Sequence, residues 1–149
     1  MFDFLEELKQ IKNILDSELI NRGITNVKVI YDLEEQFELS DVNGNSTPVV
    51  IIEASDIVST NAGAKGQMIS GQFIFTILII VEKINRKFDE YYKELNLIIE
   101  NVRNIFEMTT NKSYQFDSSK FINNYDIGSY QAVAVLSTYI ARLNNYDYS

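Results

Sequence analysis

Gln72-Phe73-Ile74-Phe75-Thr76-Ile77-Leu78-Ile79-Ile80-Val81-Glu82-Lys83 is the stretch that decides how this chain folds. Phe73, Phe75, Ile77, Ile79 and Val81 form one unbroken apolar face at the two-residue period of a strand, and Ile74, Leu78 and Ile80 cover the centre of the other. A strand that is apolar on both sides must be covered on both sides, which places it in the middle of a sheet. The apolar run from Phe73 to Val81 is about half of the ~20 residues that a membrane-crossing helix needs.

Upstream, Val49-Val50-Ile51-Ile52 is also apolar on both faces and continues to Val58 as a second covered strand. Residues 59–71 join the two; Gly63, Gly66, Gly71 and a scarcity of large side chains read as a long flexible loop or hairpin tip. Pro48 stands at the mouth of the strand, where its missing N–H does no harm, and Asn43-Gly44 is tight-turn chemistry. Val27 to Tyr31 alternates as a strand, with Phe37 and Leu39 as its continuation or its neighbour. Before it, Leu5, Leu8, Ile11, Ile14/Leu15 and Leu19 recur at helical spacing between a capping pair, Asp3 with Glu6, and a stop at Gly23.

Downstream, Phe88, Tyr91/Tyr92, Leu95, Ile98/Ile99, Val102 and Ile105/Phe106 form the stripe of a second helix, with Asn85 as its cap. Residues 108–127 are polar with scattered aromatics and predict a short edge strand near residues 114–116. Residues 128–143 alternate as a strand, although Val133, Leu136, Ile140 and Leu143 also fit one helical face. The order is α-β-β-β-α-β. It predicts one α+β domain over residues 1–143, with two main helices on a mostly antiparallel sheet, and a polar tail over residues 144–149. The helices cover one sheet face; a neighbouring subunit is a candidate for the other.

The composition narrows the chemistry. The 149 residues include no His and no Cys, which removes imidazole bases, thiolates and the Cys/His zinc sites. Thirteen Lys and Arg against 21 Asp and Glu give a formal charge of −8, a sign that repels nucleic-acid phosphates and disfavours sequence-specific DNA reading. Residues 1–75 hold 12 of the acids and five of the bases, and Asp32, Glu34, Glu35, Glu38 and Asp41 form a stretch with no base at all. The glycine-bearing residues 63–71 lack P-loop spacing and precede a strand, where anion-binding loops open a helix. Glu53 and Asp56, near Glu82 and Lys83, invite a magnesium reading, but a three-residue separation puts the two on opposite faces of a straight strand. No serine or lysine lies in a nucleophile motif. The chain is therefore expected to be non-enzymatic, with no cofactor and no metal.

Nine Tyr and nine Phe are more than a small core consumes. Tyr114, Phe116, Phe121, Tyr125, Tyr130, Tyr139, Tyr146 and Tyr148, all in the last third, suit buried or interfacial surfaces. The acidic, amphipathic start is unlike a secretory signal, so synthesis in the cytoplasm is expected. Abundant Ile, Asn, Lys and Tyr suggest an AT-rich coding sequence of a low-GC bacterium or its phage.

A leading amphipathic helix, a strand and turn, two long apolar strands joined by a Gly-bearing loop, a second helix and a late long strand together resemble the tail terminator and tail-completion proteins of tailed phages and R-type contractile bacteriocins. The resemblance rests on element order and size over nearly the whole chain. It implies a homohexameric ring on the head-proximal end of the tail tube, which stops polymerisation and, in contractile tails, anchors the last sheath layer. It further implies partners in the tube and sheath proteins, incorporation into the assembled tail, and no membrane partner. Carried onto this chain, Asn61, Lys65, Gln67 and Met68 would reach the tube or a ring neighbour. Asp32, Glu34, Glu35 and Glu38 would line the lumen, and Tyr146 and Tyr148 would pair with a neighbour. A neck or head–tail connector of the same particles and a dimeric ligand-binding regulatory domain are the competing expectations.

Overall fold

A computed structural model describes residues 3–31, 48–61, 68–108, 114–127 and 130–143. Helix α1 (Phe4–Asn21) starts where the Asp3 carboxylate accepts hydrogen bonds from the backbone N–H groups of Leu5 and Glu6, satisfying two of the orphan donors of a first turn. It ends at Arg22 and Gly23; Gly23 has a φ of +81°, a conformation that costs a glycine nothing. Strand β1 (Lys28–Ile30) follows, then β2 (Val49–Asn61), β3 (Met68–Glu82), helix α2 (Phe88–Met108), β4 (Tyr114–Ile127) and β5 (Tyr130–Leu143). The five strands form one sheet in the order β1-β2-β3-β5-β4, with only β1 and β2 parallel.

The α+β architecture, with two helices on a mostly antiparallel sheet and β3 at its centre, is the one expected. The order is longer by one element, α-β-β-β-α-β-β, because residues 114–127 form a full strand where a short edge piece was expected. Strand β4 hides its period: register shifts between Phe116 and Ser118 and between Ile122 and Tyr125 break the alternation twice. As an edge strand it also keeps polar residues that a central strand would not. Residues 130–143 are strand throughout, settling their helix-or-strand ambiguity. Asn85 does not cap α2. It sits in a left-handed turn at φ +60°, and the helix begins two residues past Arg86, with the Lys87 carbonyl accepting from Glu90 and Tyr91.

Both helices lie on one side of the sheet. Ile11, Leu15 and Leu19 of α1 and Leu95, Ile98, Val102, Ile105 and Phe106 of α2 pack on the odd-numbered face of β3, Phe73 to Val81, together with Val50, Ile52, Val133, Val135 and Tyr139. A second, smaller cluster of Ile30, Val49, Ile51, Ile80, Ala132 and Ala134 lies on the opposite face, with Leu78, Ile122 and Tyr125 packed against it. No residue of either helix belongs to this second cluster.

Candidate interaction surfaces

Much of the aromatic surplus goes into the core. Phe75 stacks on Tyr139 with ring centroids 5.7 Å apart and meets Phe106 and Tyr114 edge-on at 5.8 and 5.7 Å. Phe116 packs against Tyr139 and lies under the Arg103 guanidinium at 4.1 Å. The Tyr114 hydroxyl donates to Glu7 Oε1 at 2.9 Å, inside the protein, and Glu7 is only 2% exposed. Burial, with the Glu7 carboxylate adding to it, raises the Tyr114 pKa far above the ordinary tyrosine value, and burial does the same to Tyr139. These are structural groups: a phenol that holds its proton this firmly is no general acid or base at neutral pH. Tyr114 and Tyr139 are thus core residues rather than contact residues, as their positions in β4 and β5 dictate.

Among the described residues the large apolar side chains that stay exposed are Leu5 and Ile20 on α1, Leu97 in the middle of α2, Phe121 on β4, and Ile84, Phe88 and Met108 at or beside the two ends of α2. Phe88 at its start is 70% exposed, with the exposed Ile84 four residues before it, and Phe121 of β4 is 57% exposed. This end is tied to β4: the Lys83 ammonium donates to the Asn123 carbonyl at 2.8 Å and to Asn124 Oδ1 at 3.1 Å, and the Tyr92 hydroxyl donates to Asn123 Oδ1. Arg86 reaches back to Glu94 with contacts of 3.3 and 3.4 Å. At the far end, Met108 is 66% exposed and borders a cleft of about 520 Å³ between α1 and α2, lined also by Asn13, Ile14, Ser17, Glu18, Arg22 and Ile105. The Arg22 guanidinium crosses from one helix to the other, donating to Asn101 Oδ1 and Asn104 Oδ1. Its Nε is buried without a hydrogen-bond partner among the described residues.

Of the predicted contact residues, Asn61 and Met68 are opposite one another on the last rung of the β2–β3 ladder. The hairpin therefore stays paired well into the stretch expected to be loop. Lys65 and Gln67 lie outside the described residues, as do the candidate lumen acids Asp32, Glu34, Glu35 and Glu38 and the tail residues Tyr146 and Tyr148.

Glu53 and Asp56 require a correction. A register shift between Ala54 and Asp56 makes Ser55 an extra residue, so Glu53 pairs with Thr76 and Asp56 with Ile74. Thr76 and Ile74 share a face, and so the two acids do too, where a straight strand would have separated them. A single inserted residue reverses the parity, and nothing in the local sequence announces it. Even so, no group of three or more potential metal-ligating side chains occurs among the described residues. No described helix is long and apolar enough to cross a membrane.

No protein-family model matches this chain, and no curated protein matches its sequence.

Proposed function

We propose that this chain is a non-enzymatic ring subunit of the tail-terminator type, closing the head-proximal end of a phage or phage-like tail tube as a homohexamer and, in a contractile tail, holding the last sheath layer. The observation that carries this reading is that exposed apolar side chains stand at both ends of α2, Phe88 at one and Met108 at the other. A ring built by one repeated contact needs two different surfaces on each subunit, one to offer and one to receive. Helix α2 has 21 residues, so its ends stand about 30 Å apart. Phe88, with Ile84 four residues before it, and Met108, beside the half-buried Ile14 in the cleft lining, are therefore well separated. The element order, with a long paired hairpin leaving one end of the sheet, agrees with the resemblance, and a neck protein of the same particles would use the same surfaces.

A second reading, a dimeric ligand-binding domain, has one observation in its favour, the cleft at Arg22, whose size falls in the range of small-molecule sites. Electron microscopy of the purified protein separates the two. At 17.2 kDa per chain, six-fold rings of about 100 kDa are expected, together with short tubes when tail-tube protein from the same gene cluster polymerises in its presence. Absence of rings together with tubes of unchanged length overturns the ring reading.

A further inference from the structure

The sheet face turned away from the helices is only partly closed. Its fully buried part is the cluster around Ile80. The remainder consists of Ile74, Thr76 and Leu78 on β3 and Leu136, Thr138 and Ile140 on β5, all half-buried. These are cross-strand partners in three successive rows: Ile74 with Ile140, Thr76 with Thr138, Leu78 with Leu136. The rows are flanked by charge of opposite sign. On the β2 side stand Glu53 and, brought to this face by the bulge, Asp56; on the other stand Lys120 of β4 and Arg142 of β5. All four are exposed.

This layout is complementary to itself. We infer that the open face binds a second copy of this chain, sheet against sheet, about a two-fold axis that runs along the strands between β3 and β5. Such a rotation keeps position along the strands and exchanges left for right, so β2 of each copy lies over β4 of its partner. Glu53 and Asp56 of each copy then lie over the strand that carries the partner's Lys120, with Arg142 one strand nearer the axis. An axis across the strands would stack acid on acid, and its repulsion counts against that arrangement.

The rows also match along the strand. Glu53 belongs to the row of Thr76 and Thr138, and Lys120 pairs with Leu136 in the next row; Asp56 belongs to the row of Ile74, and Arg142 pairs with Gln72 in the next. Glu53 is thus one row from Lys120, roughly 7 Å along the strand, and Asp56 is one row and one strand, roughly 5 Å more to the side, from Arg142. Thr76 and Thr138 flank the axis, and their small side chains let two sheets approach to the ~10 Å of aligned packing. The open rows measure roughly 17 Å by 19 Å. That is about 320 Å² of each copy, below the area that a stable specific interface buries, so the pairing is weak and concentration-dependent. The contact is isologous, and therefore separate from the repeated head-to-tail contacts of a ring.

Sedimentation velocity on four proteins tests this, at protein concentrations from about 1 to about 200 μM to span weak association: the wild type, Lys120→Glu, Glu53→Lys and the double exchange. Each single reversal places like charges together twice per pair. The expected result is a particle half the wild-type mass at the concentrations where the wild type pairs, with the double exchange restored to full mass. The halving is expected whether the unit that pairs is one chain or a whole ring, so failure here leaves the ring reading standing, and absence of rings leaves this result interpretable. Circular dichroism confirms that each variant is folded, as exposed positions lead one to expect. The proposal is overturned if the wild type shows no greater mass than the single variants across the range, or if the double exchange behaves like the singles.

Discussion

On the helix-covered side of the sheet, six aromatic rings from four elements (Phe73, Phe75, Phe106, Tyr114, Phe116 and Tyr139) meet at centroid separations between 4.8 and 5.9 Å. On the other side the same strands present Ala132, Ala134, Thr76 and Thr138 among branched aliphatics. Two rounded helices on a twisted sheet leave uneven gaps, and large rings fill them. A face lined by small residues stays flat, which suits the approach of another flat surface. The contrast teaches that one side of this sheet holds the fold together while the other keeps area in reserve.

Several substitutions would break or sharpen that contrast. Replacing Phe75 with Ala removes the ring on which Tyr139, Phe106 and Tyr114 all pack, and should cost about 3–5 kcal/mol in a denaturant titration. Its neighbour Thr76 points to the open face, and Thr76→Ala should cost less than about 1 kcal/mol; equal losses would mean that the two faces are not the unlike surfaces described.

Alkaline pH probes the same aromatic cluster. The folded protein holds the Tyr114 and Tyr139 protons well above the ordinary tyrosine value of 10.0. The folded state therefore binds protons that the unfolded chain releases, and stability is complete below pH 10 and falls as pH rises past it. Each of the two should add about 1.4 kcal/mol per pH unit to the slope, and Tyr125, raised by burial and by Glu53, adds to it in the same direction. Tyr114→Phe should lower that slope by its own share, about 1.4 kcal/mol per pH unit. A melting temperature that is flat from pH 9 to pH 11 would contradict it.

Ala134 tests the closed part of the opposite face. If its surroundings are as tightly filled as their burial indicates, Ala134→Leu should overpack them and cost about 1–3 kcal/mol; a neutral result would show that part to be loosely packed. A smaller effect than these losses in the core lies away from both faces. Gly23→Ala meets open space but must adopt φ +81°, and should lower stability by about 1 kcal/mol, measurable as a small shift of the same titration.

The two helices, the hairpin of β2 and β3 and the central place of β3 were legible from residue patterns, because each depends on a period repeated over ten or more residues. Strand β4 was not. Its two bulges interrupt the alternation, and polar residues such as Gln115, Lys120 and Asn124 resemble loop once the period is lost. The candidate surfaces were less legible still. The aromatics of the last third suited buried or interfacial surfaces alike; Tyr114 and Tyr139 proved to be core, a choice left open because the sequence does not say which face of β5 the helices choose.

What the sequence by itself determined is the α+β class, the central place of β3, the capped first helix and the absence of imidazole and thiol side chains. These follow from local periodicity and from residue inventory, which need no knowledge of distant contacts. Only the tertiary structure decided that both helices share one face, that Glu53 and Asp56 stand together, and that opposite charges flank the open rows. Those features depend on strand order and register, and register can be reversed by a single bulged residue whose cost or benefit is set by partners far away in the chain.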